Sequence, residues 1–234
     1  MNITERESLE LSVVMPCLNE EKTVGLCVDW AKQFMADYHI TGEVLVVDNG
    51  STDASAEEAL SHGARVVKEP RRGYGRALRT GMEESLGRVI IMGDADTTYD
   101  FLHLQDFYGP VADGTYDMII GDRFAGGIEK GAMPFFHKIG VRILSFLGRK
   151  CYHVNVYDFH CGLRGVSRAE VEKLHFCTEG MEFATEMIAK GAAFHLRIGQ
   201  VATTLKRPVY GRKSKLRTIT DGLLHLRYLL TGTS

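Results

Sequence analysis

The chain has 234 residues, 44% of them hydrophobic and 25% charged, with a net charge of −2. That length allows one α/β domain, or one domain with a small appendage, in an ordinary globular composition. The charge balance gives no basis for nucleic acid as a partner, the absence of any eighteen-residue apolar run excludes a membrane-spanning helix, and five cysteines without a Cys-x-x-Cys spacing read as free thiols of a reducing cytosol.

Met1 to Glu10 is polar and acidic, unlike a signal peptide. Leu11 to Pro16 reads as a first strand, followed by the polar loop Cys17-Leu-Asn-Glu-Glu21 and a helix from about Glu20 to Tyr38. A second strand, Glu43 to Val47, ends in Asp48-Asn49-Gly50-Ser51-Thr52-Asp53, where Asp53 is expected to cap a helix over Ala54 to His62. Ala64 to Lys68 is a third strand. Arg71-Arg72-Gly73-Tyr74-Gly75-Arg76 leads into a helix through about Ser85, and Val89 to Met92 reads as a short buried strand. Strand alternating with helix over short connections predicts a mostly parallel sheet with helices on both faces, its functional residues at the carboxyl ends of the strands.

The rhythm then loosens. Asp117 to Gly121 is a further strand, Met133 to Arg149 a helix, Val156 to Gly165 a loop and strand, Glu179 to Lys190 a helix, and His195 to Leu205 one or two strands. The tail from Lys206 is basic. The expected organisation is one domain over 1–205 with a basic helical extension, 206–234, packed on it.

Gly93 relaxes the chain after the Val89 strand, and Asp94 and Asp96 follow. If the chain is still extended there, residues spaced i and i+2 point the same way and face one ligand. Like charges held that close call for a cation, and hard oxygen ligands suit Mg²⁺ or Mn²⁺ with phosphate as co-ligand. The Gly73-x-Gly75 turn does not complete a dinucleotide fingerprint, since position 78 is Leu and Gly81 is misplaced. Those glycines are expected to let the backbone pass close to a nucleotide base or sugar. No phosphate-binding Gly-Lys-Ser/Thr loop, zinc spacing or serine-hydrolase elbow is present. His160 is read as a structural histidine.

Pro16-x-x-Asn19-Glu20, Asp48 to Asp53, Gly93-Asp94-Ala95-Asp96 and Gly121-Asp122-Arg123-Phe124 come in order at strand ends. With Gly131 to Pro134, Asp158 to Arg164 and Gly180 to Met187, the set resembles the inverting family 2 glycosyltransferases of GT-A (Rossmann-like) fold, closest to the dolichyl- and polyprenyl-phosphate sugar synthases. The resemblance runs from about Leu11 to Leu230. It implies that Pro16, Asn19, Glu20, Asp48, Asn49, Ser51, Gly73, Arg76, Asp94 and Ala95 bind a nucleotide-diphosphate sugar, and that Asp94 and Asp96 hold Mg²⁺ or Mn²⁺. Asn49 stands where many members carry a second Asp. Thr97-Thr98 replaces the Leu-Gln of mannose-type synthases, which makes Thr98 a poor metal ligand and counts against a mannosyl donor; with Asp48 among the nucleotide contacts, a UDP-sugar is expected over GDP-mannose.

The implied reaction moves a hexose, with inversion, to a polyprenyl or dolichyl phosphate. A phosphate monoester is already anionic, so the demand shifts from a general base to positioning cations. Arg123, Arg207, Arg212 and Lys213 are the candidates to hold it, and Asp96, Asp158 and Arg123 the candidate catalytic residues. Asp158 either orients or deprotonates the acceptor, or is structural, capping Gly162 or pairing with Arg164. The Met133 to Arg149 helix sets Phe and Leu beside Lys and Arg, as an interfacial helix does, or is a core helix with a basic edge. Membrane contact is then peripheral at the cytoplasmic face or made through a separate membrane subunit, and a homo-oligomer stays open. A soluble acceptor, or a non-catalytic protein that binds nucleotide sugar or membrane, are the other readings.

Overall fold

The structure is a computed structural model and describes residues 9–210 and 218–232. The first half alternates as expected: β1 (Leu11–Cys17), α1 (Val24–Asp37), β2 (Gly42–Asp48), α2 (Ser55–Ser61), β3 (Arg65–Lys68), α3 (Tyr74–Glu84) and β4 (Val89–Met92). The second half runs α4 (Gln105–Ala112), β5 (Met118–Asp122), α5 (Arg123–Gly126), α6 (Phe135–Tyr152), β6 (Arg164–Ser167), α7 (Arg168–Leu174), α8 (Phe183–Ala193), β7 (Ile198–Ala202) and α9 (Thr218–Thr231).

The strands form one sheet in the order β3-β2-β1-β4-β6-β5-β7. β1, β2, β3 and β4 pair in parallel, as do β5 and β7, whereas β6 runs antiparallel between β4 and β5. β1 and β4 are buried along almost their whole length, as a sheet covered on both faces requires. Strand order reverses between β1 and β4, which opens the crevice where α/β sheets bind ligands, beyond the carboxyl ends of the strands. β4 pairs with β1 only as far as Val14, so Pro16 lies where one neighbour has already left the ladder.

Three helices escaped the sequence pattern, the single turn α5 among them. α4 is eight residues long and carries Gly109 and Pro110; α7 has seven residues. All three are too short to show a sustained 3.6-residue period. The Asp53 cap is displaced by one position: Ala54 stands before the helix, while the Asp53 carboxylate accepts the N–H and hydroxyl of Ser55 and the N–H of Glu21. One carboxylate thus starts α2 and ties it to the loop after β1.

α6 is amphipathic in an inverted sense. Its inner face is small: Val141, Ser145 and Gly148 are buried, Ser145 Oγ accepts the Phe159 N–H, and Gly148 lies against the Phe159 ring. Its large side chains face outward, with Phe135 70%, Phe136 80%, Ile143 55% and Phe146 49% exposed. Those figures decide against a core helix with a basic edge. α9 packs against α6 and α8, burying His225, Tyr228 and Leu229 while Leu223 and Leu230 stay exposed. No helix among the described residues is long and apolar enough to cross a membrane.

Candidate active site

The crevice at the ends of β1, β2 and β4 is built by loops that bond to one another. Asp48 Oδ1 accepts the Ser51 N–H and closes a turn. Ser51 Oγ accepts the Asn19 N–H, and Asn19 Oδ1 accepts the Thr52 N–H at 2.8 Å. Asn19 has φ 54, a left-handed conformation that asparagine tolerates better than most residues. Glu20 N–H donates to Ser55 Oγ, and Thr23 Oγ1 donates to the Ala95 carbonyl at 2.8 Å, joining the loop after β1 to the one after β4.

Asn49 explains its own departure from Asp. Its Nδ2 donates to the carbonyls of Glu69 and Arg71, and its Oδ1 accepts the Gly73 N–H. A carboxylate can only accept, so Asp would lose both donations. The side chain is buried and clamps the Arg71–Gly73 turn. The Gly73 expectation needs a correction: a Cβ there would lie 2.4 Å from the Glu179 carbonyl oxygen, so the close approach it permits is to the protein's own backbone. Arg76, one turn into α3, is buried and pairs with Glu179 at 2.7 Å.

The Asp94–Asp96 stretch also departs from expectation. β4 ends at Met92, the chain bends over 95–99, and Thr97 has φ 66. Asp96 Oδ1 accepts the Thr98 N–H at 3.0 Å and its hydroxyl. The two carboxylates therefore do not share one extended face. Asp96 lines an open pocket of about 180 Å³ with Asn19, Glu20, Thr23, Asp53, Pro208 and Tyr210. Asp94 lines a second cavity, of about 130 Å³, together with Tyr74, Arg123, His137, His160, Arg164 and His225. Gly162 lets the loop before β6 lie against Asp94, since a Cβ would come 3.0 Å from its Oδ2. Tyr74, hydrogen-bonded to Asp94, has its ionisation pushed well up, by burial first and then by the Asp94 charge.

Arg123 and Asp158 form an enclosed pair in that second wall. Arg123 Nε and Nη2 donate to the carboxylate at 2.6 and 2.8 Å, and the Arg123 and His160 N–H groups add further bonds. Arg123 is 5% exposed and Asp158 not at all. Asp158 therefore neither pairs with Arg164 nor caps Gly162. Arg164 instead donates to three backbone carbonyls, those of Phe159, Cys161 and Ala184, and the Gly162 N–H goes to the Tyr99 hydroxyl. Asp158 thus holds the Arg123 guanidinium and has no exposed surface of its own.

Of the basic tail, Arg207 is exposed and its N–H donates to Glu129 Oε2, while Lys206 pairs with Asp100 at 2.9 Å. This segment folds back beside Asp96, where the Val209 N–H reaches Thr97 Oγ1. Arg212 and Lys213 lie outside the described residues.

Sequence reasoning read His160 as structural and gave His137 and His225 no role in the site. His137 on α6, His160 before β6 and His225 on α9 share the Asp94 cavity, though 88 residues separate the first from the last in sequence. Glu182 was also missed; it starts α8 and is 4% exposed, and its Oε2 has no hydrogen-bond partner among the described residues. His225 Nδ1 contacts Thr185 Oγ1 at 2.8 Å, and its pKa is held down to about 4, by burial first and then by Arg164 and His137. The unfolded chain takes up that proton near pH 6.5 and the folded one does not, so the associated stability is complete above pH 6.5 and is lost as pH falls towards 4. Urea unfolding should show a loss of about 2 kcal/mol between pH 7 and pH 5 from this residue. His225→Gln should flatten that slope.

The family described as Glycosyl transferase family 2 matches residues 12–174, a span that holds the Asp48, Asp94 and Asp158 loops. The chain is a family 2 glycosyltransferase. Among relatives of this glycosyltransferase, the low-salt glycan biosynthesis hexosyltransferase Agl6 of Haloferax volcanii is 40% identical over 223 residues, 95% of this chain but 53% of that protein. The chain thus spans about half of that relative's length. A dolichyl-phosphate hexose transferase of the same organism is 31% identical over 85% of this chain and 84% of its own. In fold, the glycosyltransferase is similar to glucosyl-3-phosphoglycerate synthase from Mycobacterium tuberculosis, solved with Mn²⁺, UDP-glucose and phosphoglyceric acid, at TM-score 0.76 and 23% identity over 99% of this chain and 83% of that one. The GT-A fold expected from the sequence is the fold observed.

Proposed function

We propose that this glycosyltransferase moves a hexose, with inversion, from a nucleotide-diphosphate sugar, UDP-linked by preference, to a polyprenyl phosphate at a membrane surface. The observation that carries the reading is the Asp94–Asp96 bend, set at the switch point of the sheet between two pockets. The open pocket, beside Asn19, Glu20 and the Asp48–Ser51 turn, takes the nucleotide. The diphosphate lies at the bend, and the sugar and acceptor phosphate meet on the Asp94 side, where Arg123 stands.

Glu20, Glu21, Asp53 and Asp96 outnumber the one cation of the open pocket, Lys22, so a diphosphate is favoured there in company with a metal ion. No group of three His, Cys, Asp or Glu side chains among the described residues forms a cage for a metal ion. Hard carboxylate oxygens do fit Mg²⁺ or Mn²⁺ that arrives with its phosphates, held by one or two carboxylates and the substrate. Asp94 and Asp96 would hold it, and it would supply charge neutralisation for the departing nucleotide. Several fold neighbours were solved with Mn²⁺ or Mg²⁺ and UDP, which supports the same reading.

The lipid acceptor is supported by α6, with its outward Phe135, Phe136, Ile139 and Ile143 beside Arg142, Arg149 and Lys150, and by the dolichyl-phosphate relative. Such a helix lies at the headgroup boundary with its rings in the acyl region. Phe135→Ser with Phe136→Ser should weaken binding to anionic vesicles by at least about tenfold in high salt, where only the apolar part remains. The melting temperature should hardly move, because these rings are exposed. Sedimentation beside thermal melting checks both. For the function as a whole, radiolabelled UDP-glucose, UDP-galactose, UDP-N-acetylglucosamine and GDP-mannose are incubated with undecaprenyl or dolichyl phosphate and Mn²⁺. Label that moves into the organic phase supports the reading; transfer only to a water-soluble acceptor such as phosphoglyceric acid refutes the lipid part.

A further inference from the structure

We propose that His160 reads a hydroxyl of the transferred hexose and is the donor-sugar specificity residue of the cavity beside Asp94. This rests on the nucleotide-sugar reading above.

Both ring nitrogens of His160 are shut off from solvent, and neither has a hydrogen-bond partner among the described residues. That is exceptional in this wall. Arg164 satisfies itself on three carbonyls and Arg123 on Asp158. Buried polar atoms are normally paired, and one left unpaired costs stability that a structural histidine has no reason to spend. Of the side chains with such orphan atoms, His160 is the one that lines the Asp94 cavity.

The ring is also held in place. The His160 N–H donates to Asp158 Oδ1, and the ring meets His225 edge to face at 4.2 Å, itself fixed by Thr185. Binding therefore need not order the ring.

Its chemistry selects the ligand. Burial first, and then His225, Arg123, Arg164 and His137, hold its pKa far below the usual histidine range. At neutral pH one nitrogen is a donor and the other a bare acceptor. A hydroxyl offers the complement of both. A phosphate oxyanion offers only acceptors and would face a lone pair. Tyr74, Tyr99, Met181 and Phe183 supply apolar surface for the C–H faces of a sugar ring, and Asp94 places the cavity next to the diphosphate.

Calorimetry with Mn²⁺ and UDP, GDP, UDP-glucose, UDP-galactose, UDP-N-acetylglucosamine and GDP-mannose tests this on the wild type, His160→Leu, His160→Phe and His160→Gln. The leucine and phenylalanine variants should keep the nucleoside diphosphate affinity within about twofold, and lose about 5- to 10-fold for the preferred sugar donor, with KM rising alike. Their melting temperatures should equal or exceed the wild type's, since an orphan polar group is gone. Glutamine, with one donor and one acceptor, should keep part of the preference. Unchanged donor preference and KM in the apolar variants overturns the proposal. So does a lower melting temperature with nucleotide and sugar affinity lost together, which marks a structural histidine, or a rise in KM confined to the polyprenyl phosphate, which moves His160 to the acceptor. A wild-type protein that binds none of these nucleotides removes the nucleotide-sugar reading and this one with it.

Discussion

Asp96→Ala should lower turnover by about 10²–10³ with the fold intact, the scale of losing one main electrostatic element at a site of developing charge. On the proposed reading, the carboxylates of the pocket that Asp96 lines with Glu20, Glu21 and Asp53, against the one cation Lys22, serve the reaction through a metal ion that comes with the diphosphate. Removing Asp96 would then weaken the hold on that ion and the charge neutralisation it would supply to the departing nucleotide. The structural loss is small by comparison: Asp96 Oδ1 satisfies the Thr98 N–H and hydroxyl, and these sit beside an open pocket. Asp96→Asn keeps an acceptor for Thr98 and should melt like the wild type while remaining as slow as the alanine variant. Initial rates with the labelled donor, over a Mn²⁺ titration, separate the effects. A variant restored by excess metal has lost affinity; one that stays slow at saturation has lost transition-state stabilisation. Full wild-type activity in excess chelator would remove the metal from the account.

The parallel half of the fold was legible because each strand from Leu11 to Met92 is a short apolar run ended by polar residues, with a helical period between. The antiparallel insertion of β6 between β4 and β5 was not, because pairing partners distant in sequence leave no local trace. The site was readable where chemistry lies in adjacent residues, as in Asp94-Ala95-Asp96 or Asp48 to Ser51. It was unreadable where the partner is remote: nothing in the sequence says that Asp158 faces Arg123 rather than Arg164, or that Asn49 is spent on three backbone groups. The bend after β4 was missed for a local reason. Thr98 turns back on Asp96, a side chain to backbone bond that competes with continued extension.

Asp158→Ala should be the most destabilising single change in the site, at about 3–5 kcal/mol, the usual cost of leaving one partner of a buried ion pair alone. For a domain of this size that corresponds to a fall of roughly 6–20 °C in melting temperature. The reason is geometric. Asp158 has no exposed surface, and it receives two guanidinium bonds and two N–H groups. Without it, the Arg123 guanidinium remains buried in the same cavity wall as Arg164, with a like charge for company and no carboxylate to answer it. Arg123→Met alone should cost a similar amount, because it strands the carboxylate instead. The double variant Arg123→Met, Asp158→Leu should recover much of the loss, since apolar replacement of a whole buried pair is often close to neutral. Denaturant unfolding of the four proteins gives the coupling directly. Activity should not follow stability: the double variant regains its melting temperature yet stays slow, with the rise in KM falling on the polyprenyl phosphate, because it lacks the Arg123 cation on the Asp94 side. An active double variant would leave the pair purely structural and move the acceptor phosphate to other cations.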